Sequence, residues 1–254
     1  MGRAGSKLKR YEEDYEHCKG SNSFGLDISA GNKTESQYIQ NSNIAKRKRF
    51  GQFFTPLNIA EIMSDWVLGC KPKNLLDPAV GTGILLRALA NKSNATFKCD
   101  VFDIDPKILS FFDETRIPNI EVQKFNADFL TYKIDNTYDG VIMNPPYLRH
   151  HDLVYKFSIH DHIAKLVDSS ISKLSNAYVL FVMKACHYLS KGGRGAFIIP
   201  SEWTNSNFGE SFKAYLIDFA GLQEVIYFTN YINVFDNALT TASILLVENL
   251  RIQK

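Results

Sequence analysis

The sequence predicts an α/β fold, a mostly parallel sheet with helices on both faces and an antiparallel hairpin at one edge. Three observations predict it. Seven short apolar, strand-like runs recur at 74–76, 97–102, 120–125, 140–143, 196–199, 225–228 and 244–247. Apolar residues at helical spacing fill most of the gaps, at 84–91, 106–114, 174–189 and 207–219, which is the alternation that crossover units require. The first three runs each lead into an aspartate (Asp77, Asp103, Asp128), so their turns fall together on the carboxyl edge of a parallel sheet. No clear helix separates the last two runs, hence the hairpin. A chain of 254 residues, 45% hydrophobic and 22% charged, has the size and composition of one such domain and excludes collagen-like, disulfide-scaffold and disordered classes.

Residues 1–49 read as a polar, basic arm, partly disordered, ahead of a folded domain over 50–254. Residues 20–45 hold twelve Gly, Ser or Asn with no period. Residues 1–50 carry ten Lys/Arg against six Asp/Glu and the remainder 19 against 21, so the formal net charge of +2 is a local surplus. It peaks at Lys46-Arg47-Lys48-Arg49, a run that suits a solvated linker end or, less often, a contact to nucleic-acid phosphates. No stretch nears the roughly 20 apolar residues of a membrane span. The polar start Met1-Gly2-Arg3-Ala4 lacks the apolar region of a signal peptide, so the chain reads as cytoplasmic with no membrane partner. Cys18, Cys70, Cys99 and Cys186 form no C-x-x-C pair and read as reduced and mostly buried.

Within the domain, Leu57, Ile59, Ala60, Ile62, Met63, Trp66 and Val67 carry a helix behind Thr55-Pro56, read as its cap and first-turn residue. The first strand ends Leu75-Leu76-Asp77-Pro78-Ala79-Val80-Gly81-Thr82-Gly83 and leads into a helix at Ile84. A glycine turn of this kind lets backbone approach a ligand and presents N–H groups to it. The third glycine of a dinucleotide fingerprint would fall on Leu86, which disfavours a dehydrogenase. The second strand ends Phe102-Asp103-Ile104-Asp105-Pro106, with a carboxylate where a ribose diol would donate. The third ends Asn126-Ala127-Asp128-Phe129, a carboxylate beside an aromatic that suits a purine. After the fourth strand comes Asn144-Pro145-Pro146-Tyr147, a turn stiffened by two residues that fix φ at about −65° and lack N–H donors. There the Asn144 oxygen and the Pro145 carbonyl can accept both hydrogens of a planar amino group, and Tyr147 offers a ring to stack on. The long connection from Leu148 to Ser172 carries His150, His151, His160 and His162 and reads as a solvent-exposed or DNA-facing loop. Without Cys or carboxylate ligands at matching spacing, no metal site is assigned to it.

Together, Gly51-Gln52-Phe53-Phe54-Thr55-Pro56, the Asp77 to Gly83 turn and Asn144-Pro145-Pro146-Tyr147 resemble the signature motifs of S-adenosylmethionine-dependent DNA adenine-N6 methyltransferases. Their order along the chain is similar to that of the gamma class in bacterial restriction-modification systems. The resemblance runs from about Phe50 to Val247 and implies a Rossmann-like methyltransferase sheet with S-adenosylmethionine as cofactor. Residue by residue, it implies that Phe54, Thr55, Asp77, Pro78 and Ala79 meet the cofactor's methionine end, where Gly81 and Gly83 allow close approach. Asp103 would hold the ribose and Ile104 would pack on the adenine, with Asp128 and Phe129 reading and flanking that ring. Asn144, Pro145, Pro146 and Tyr147 would orient the target adenine, Asn144 also bordering the cofactor. Phe235, within Asn233-Val234-Phe235, would clamp the flipped base with Tyr147. Lys191-Gly192-Gly193-Arg194-Gly195 resembles a structural turn of these enzymes.

Two positions depart from the pattern. Asp103 stands where Glu is common, with Asp105 two residues on as a rival for the ribose, and Val80 stands where a small or polar residue is common. The implied partners are double-stranded DNA and a separate or missing target-recognition domain or specificity subunit, because only 248–254 follow the last strand. The same turn chemistry serves methyltransferases of protein glutamine amides or RNA base amines, and a non-catalytic cofactor- or DNA-binding subunit is a further alternative. The Phe-Phe-Thr-Pro segment argues for DNA.

Overall fold

The computed structural model describes residues 55–153, 158–228 and 241–250. Phe54, Phe235, Cys18 and the arm with its basic run lie outside the described residues. In chain order come α1 (Leu57–Leu68), β1 (Asn74–Asp77), α2 (Ile84–Lys92), β2 (Phe97–Phe102), α3 (Pro106–Leu109), β3 (Ile120–Phe125) and β4 (Tyr138–Met143). They are followed by α4 (Ser158–Val167), α5 (Ala177–His187), β5 (Leu189–Pro200), α6 (Gly209–Asp218), β6 (Leu222–Tyr227) and β7 (Ala242–Glu248). The seven strands form one sheet in the order β3-β2-β1-β4-β5-β7-β6. Strands β1 to β5 pair in parallel, and β7 inserts antiparallel between β5 and β6, which gives the expected antiparallel pair at that edge.

The central strands of the sheet are buried on both faces, and the alternation of their side chains shows why. Leu76, Val141, Phe197 and Leu245 join one apolar cluster with α4, α5 and α6. Their neighbours Leu75, Ile142, Ile198 and Ile244 join the other with α1 and α2. Successive residues of a strand point to opposite faces, so strands covered on both sides read as unbroken apolar runs. Each large side chain buried this way contributes about 2 kcal/mol. Helix α5 runs through the first cluster and is buried from Ala177 to Cys186.

Four expectations need correction. Thr55 does not cap α1: Pro56 holds the N-cap position with no side-chain bond, and the Thr55 hydroxyl is engaged elsewhere. The helix expected over 106–114 stops at Leu109, because Asp113 starts a separate 3-10 turn by accepting from the Thr115 N–H at 3.1 Å. The histidine connection contains α4, whose Ile159, His160, Ile163 and Val167 are buried at helical spacing. His160 is therefore no exposed loop residue; its Nε2 lies 2.9 Å from the Ser175 carbonyl. Finally, the glycine-rich stretch before the fifth strand lies within β5, where Ser190 to Gly193 bulge out between the pairings of Leu189 with Tyr138 and Arg194 with Gly140. Asn249 ties the bulge down through bonds with Gly192 and Gly193.

Cys99 and Cys186 are buried and Cys70 half-buried, all three as free thiols. Among the described residues no helix is long and apolar enough to cross a membrane, and no group of three His, Cys, Asp or Glu side chains is placed to hold a metal ion.

Candidate active site

Parallel pairing aligns the carboxyl ends of β1, β2 and β3, since Asn74 faces Lys98 and Lys98 faces Glu121. The three aspartates expected to share this edge follow from that register. Asp77 closes β1 and is wholly buried; one of its oxygens accepts the Ala79 N–H at 3.2 Å. Its other oxygen, Oδ2, is buried with no hydrogen-bond partner among the described residues. Burial pushes the Asp77 carboxyl up to about 8, the Ala79 N–H opposing the rise and the Asp103 charge adding to it.

The turn that follows is braced from three sides. Val80 donates its N–H to the Phe102 carbonyl of β2 at 2.9 Å, and its side chain fills the α1–α2 core, which accounts for a bulky residue there. Arg87 of α2 donates to the Thr82 carbonyl at 2.5 Å. The Gly81 N–H donates to Asp103 Oδ2 at 3.2 Å. Gly81 and Gly83 both adopt positive φ, 55° and 83°. They differ in what they make room for. A Cβ at Gly81 would meet only Ile108 Cδ1, at 3.8 Å, whereas one at Gly83 would collide with the Phe112 ring. Gly81 therefore keeps the cleft open, and Gly83 is required by packing.

Asp103 binds a second backbone donor, the Asp105 N–H at 2.9 Å. Burial pushes its carboxyl up to about 6 against those two bonds, with the Asp105 charge adding to the rise. The rival carboxylate, Asp105, caps α3 by accepting from the Lys107 N–H at 3.0 Å. Of the two, Asp103 bonds the glycine turn and Asp105 the start of α3. Next to it Ile104 is 52% exposed, a large apolar side chain without cover. Asp128 accepts the Leu130 N–H at 2.9 Å; burial raises its carboxyl and the Lys184 charge counters the rise. Phe129 is placed otherwise than expected: its ring is buried, packed on Phe102 and Phe181 with Lys184 Nζ 5.1 Å above it, and offers no open face.

Across the crevice, Asn144 follows β4, and its Nδ2 donates to Thr55 Oγ1 at 3.0 Å. That bond joins the segment before α1 to the proline turn, 89 residues apart. Pro145 is buried and Tyr147 half-buried, the Tyr147 hydroxyl donating to the Ile198 carbonyl of β5 at 3.3 Å. Burial holds the Tyr147 phenol well above its usual range. Beyond it, the Ala177 N–H at the start of α5 donates to the Leu148 carbonyl at 2.9 Å. The His150 N–H donates to Asn176 Oδ1 at 3.0 Å, and Asn176 Nδ2 donates to Glu202 at 2.6 Å. Sequence reading missed Asn176, Lys184 and Glu202. Only Asn176 had a signal, as a capping residue type just ahead of an apolar run, yet its side chain ties down the proline turn rather than its own helix.

The match to the Eco57I restriction-modification methylase family covers residues 24–235. The chain belongs to that family. It is 39% identical over 223 residues to the type II methyltransferase M.AccI of Acinetobacter calcoaceticus, covering 86% of this chain and 40% of that protein. With the type II methyltransferase M.HincII of Haemophilus influenzae it shares 28% over 187 residues, covering 72% of this chain and 34% of that one. The chain thus spans about two fifths or less of the length of these relatives. In fold it resembles a Listeria monocytogenes protein assigned to the class I S-adenosylmethionine-dependent methyltransferases, with a TM-score of 0.69 at 18% identity over 89% of this chain and 68% of that one. With the methylase family comes its cofactor, S-adenosylmethionine. The residues present fit it: Asp77 Oδ2 is a buried acceptor lacking a donor among the described residues, as an ammonium would supply, and in the turn that follows a Cβ at Gly81 would meet only Ile108 Cδ1, at 3.8 Å.

Proposed function

We propose that this chain is the catalytic portion of a restriction-modification enzyme that methylates the exocyclic N6 of adenine in double-stranded DNA. The observation that carries the reading is the Thr55 Oγ1 to Asn144 Nδ2 bond. It brings the segment before α1, on the cofactor side, against the turn that would hold the target. With the Asn144 nitrogen donating to Thr55, the amide oxygen is the branch assigned to the target.

S-adenosylmethionine supplies an electrophilic methyl group. The chain's own residues do the rest. Asp77 takes the ammonium of the methionine end in its ionised form, with Thr55, Phe54, Pro78 and Ala79 around it and Gly81 close to the backbone. Asp103 accepts from the ribose hydroxyls, Ile104 covers the adenine face, and Asp128 accepts from its 6-amino group. Phe129 acts from the core by supporting the Asp128 loop. On the other side, the Asn144 oxygen and the Pro145 carbonyl accept the two N–H groups of the target adenine, which draws its nitrogen toward a tetrahedral shape with a usable lone pair. The target must leave the duplex stack to arrive there, at a cost of a few kcal/mol, and stacking on Tyr147 and Phe235 offsets part of it. Pro146 keeps the turn rigid.

The partners we assign to it are double-stranded DNA and a target-recognition domain or specificity subunit that reads the bases. The test is to supply duplex DNA, labelled S-adenosylmethionine and any neighbouring recognition chain, then digest the product to nucleosides. N6-methyladenine is the expected product. N4-methylcytosine would overturn the base assignment, and label on protein or RNA alone would overturn the DNA substrate.

A further inference from the structure

Lys184 is buried in the middle of α5, 1% exposed, in the apolar cluster beneath the sheet. A lone buried ammonium costs several kcal/mol unless it is paired and hydrogen-bonded, so its partners state its purpose. All of them lie in the loop after β3. Lys184 Nζ donates to the Leu130 carbonyl at 3.0 Å and the Tyr132 carbonyl at 2.7 Å, and stands over the Phe129 ring at 5.1 Å. The same loop is a single tight turn in which Leu130, Thr131 and Tyr132 donate back to Asp128. Burial and the Asp128 charge act on Lys184 in opposite directions, as burial and the Lys184 charge do on Asp128.

A neutral donor would suffice to pin two carbonyls. A cation adds one thing: it favours the ionised form of the half-buried Asp128, and an ionised carboxylate only accepts hydrogen bonds. A site that only accepts welcomes a 6-amino purine and rejects a 6-oxo purine, whose oxygen would face the carboxylate.

We propose that Lys184 is a positioning residue that sets the purine preference of the cofactor pocket, by anchoring the Asp128–Tyr132 loop and holding Asp128 as a pure acceptor. This rests on the reading of Asp128 as the contact to the cofactor's adenine.

The experiment measures dissociation constants of S-adenosylhomocysteine and its 6-oxo analogue S-inosylhomocysteine by calorimetry, using the full chain and its Lys184→Gln, Lys184→Arg and Asp128→Asn variants. The wild type is expected to prefer the 6-amino ligand by roughly ten- to a hundredfold. Lys184→Gln, which keeps donors but loses the charge, should cut the preference to under about threefold, and Lys184→Arg should retain it. Equal weakening of both ligands by Lys184→Gln, or an unchanged ratio, would overturn the proposal. If Lys184→Gln does not fold, Lys184→Met, which fits the apolar cluster without a buried charge, replaces it and should likewise cut the preference to under about threefold, and an unchanged ratio overturns the proposal. Absence of binding by the wild type, or a preference that survives Asp128→Asn, points instead to failure of the underlying cofactor reading.

Discussion

At the carboxyl ends of β1 and β2, the buried Asp77 feels the charge of the half-buried Asp103 and has one oxygen without a donor among the described residues, whereas the turn after β4 is tied to Thr55, β5 and α5 through Asn144, Tyr147, Leu148 and His150. The first region stores unmet electrostatic demand. Asp77 and Asp103 sit at about 8 and about 6, so the pocket is short of positive charge and N–H donors until a ligand brings them. The second region stores geometry, with hydrogen bonds holding the backbone in place before any substrate arrives. The proposed function places binding on the first region and chemistry on the second, so substitutions in each should fail in different ways.

The largest separation is expected from Asn144→Ala. Removing a placed acceptor from the reacting centre should lower methyl transfer by roughly 10²–10³-fold while S-adenosylhomocysteine affinity stays within about threefold. Comparable losses in both would show that the turn also binds the cofactor and that the two regions are one. Asp77→Ala should do the reverse, weakening S-adenosylhomocysteine by roughly ten- to a hundredfold, as expected for a charge-assisted bond, with the rate at saturating cofactor little changed. Unaltered affinity in calorimetry would remove Asp77 from the site.

The regions also differed in how legible they were. The strand ends, Asp77, Asp103 and the glycine turn could be read from the sequence because each depends on local chemistry: an apolar run, an acidic turn, a positive φ. The turn motif was readable as a motif, but its supports were not, since Thr55 and Asn144 are 89 residues apart and Asn176 looked like a helix cap. Phe129 illustrates the limit: an aromatic at a strand end reads the same whether it lines a cleft or, as here, fills the core. Lys184 was hidden for the opposite reason, a single cation inside an apolar stretch that otherwise spells a buried helix. Helix α4 was passed over because its histidines drew attention from the spacing of Ile159, Ile163 and Val167.

A subtler effect sharpens the electrostatic half of the comparison. The folded chain holds the Asp77 proton up to about pH 8, whereas an unfolded aspartate releases it near 3.9. The fold binds the proton more tightly, so the contribution is fully present below about pH 4 and is lost as pH rises toward 8, with a slope approaching about 1.4 kcal/mol per unit. Asp103 adds to the decline up to about pH 6. Urea denaturation at stepped pH should show the decline in the wild type and a much flatter curve for Asp77→Asn. Parallel curves would mean that Asp77 is ionised in the folded chain and the pocket carries no such deficit.

The smallest effect tests whether the two regions are joined where the structure joins them. Thr55→Val keeps the shape of a fully buried side chain and deletes only the acceptor for Asn144 Nδ2. One buried hydrogen bond is worth about 1 kcal/mol, so methyl transfer should fall roughly fivefold with cofactor affinity shifted less. Because the cost arises from the amide losing its anchor, Thr55→Val should add nothing further in an Asn144→Ala background, and a double-mutant cycle measures that directly. Full additivity would place Thr55 with the cofactor alone, leaving rigid geometry on one side and unmet charge on the other with no bond between them.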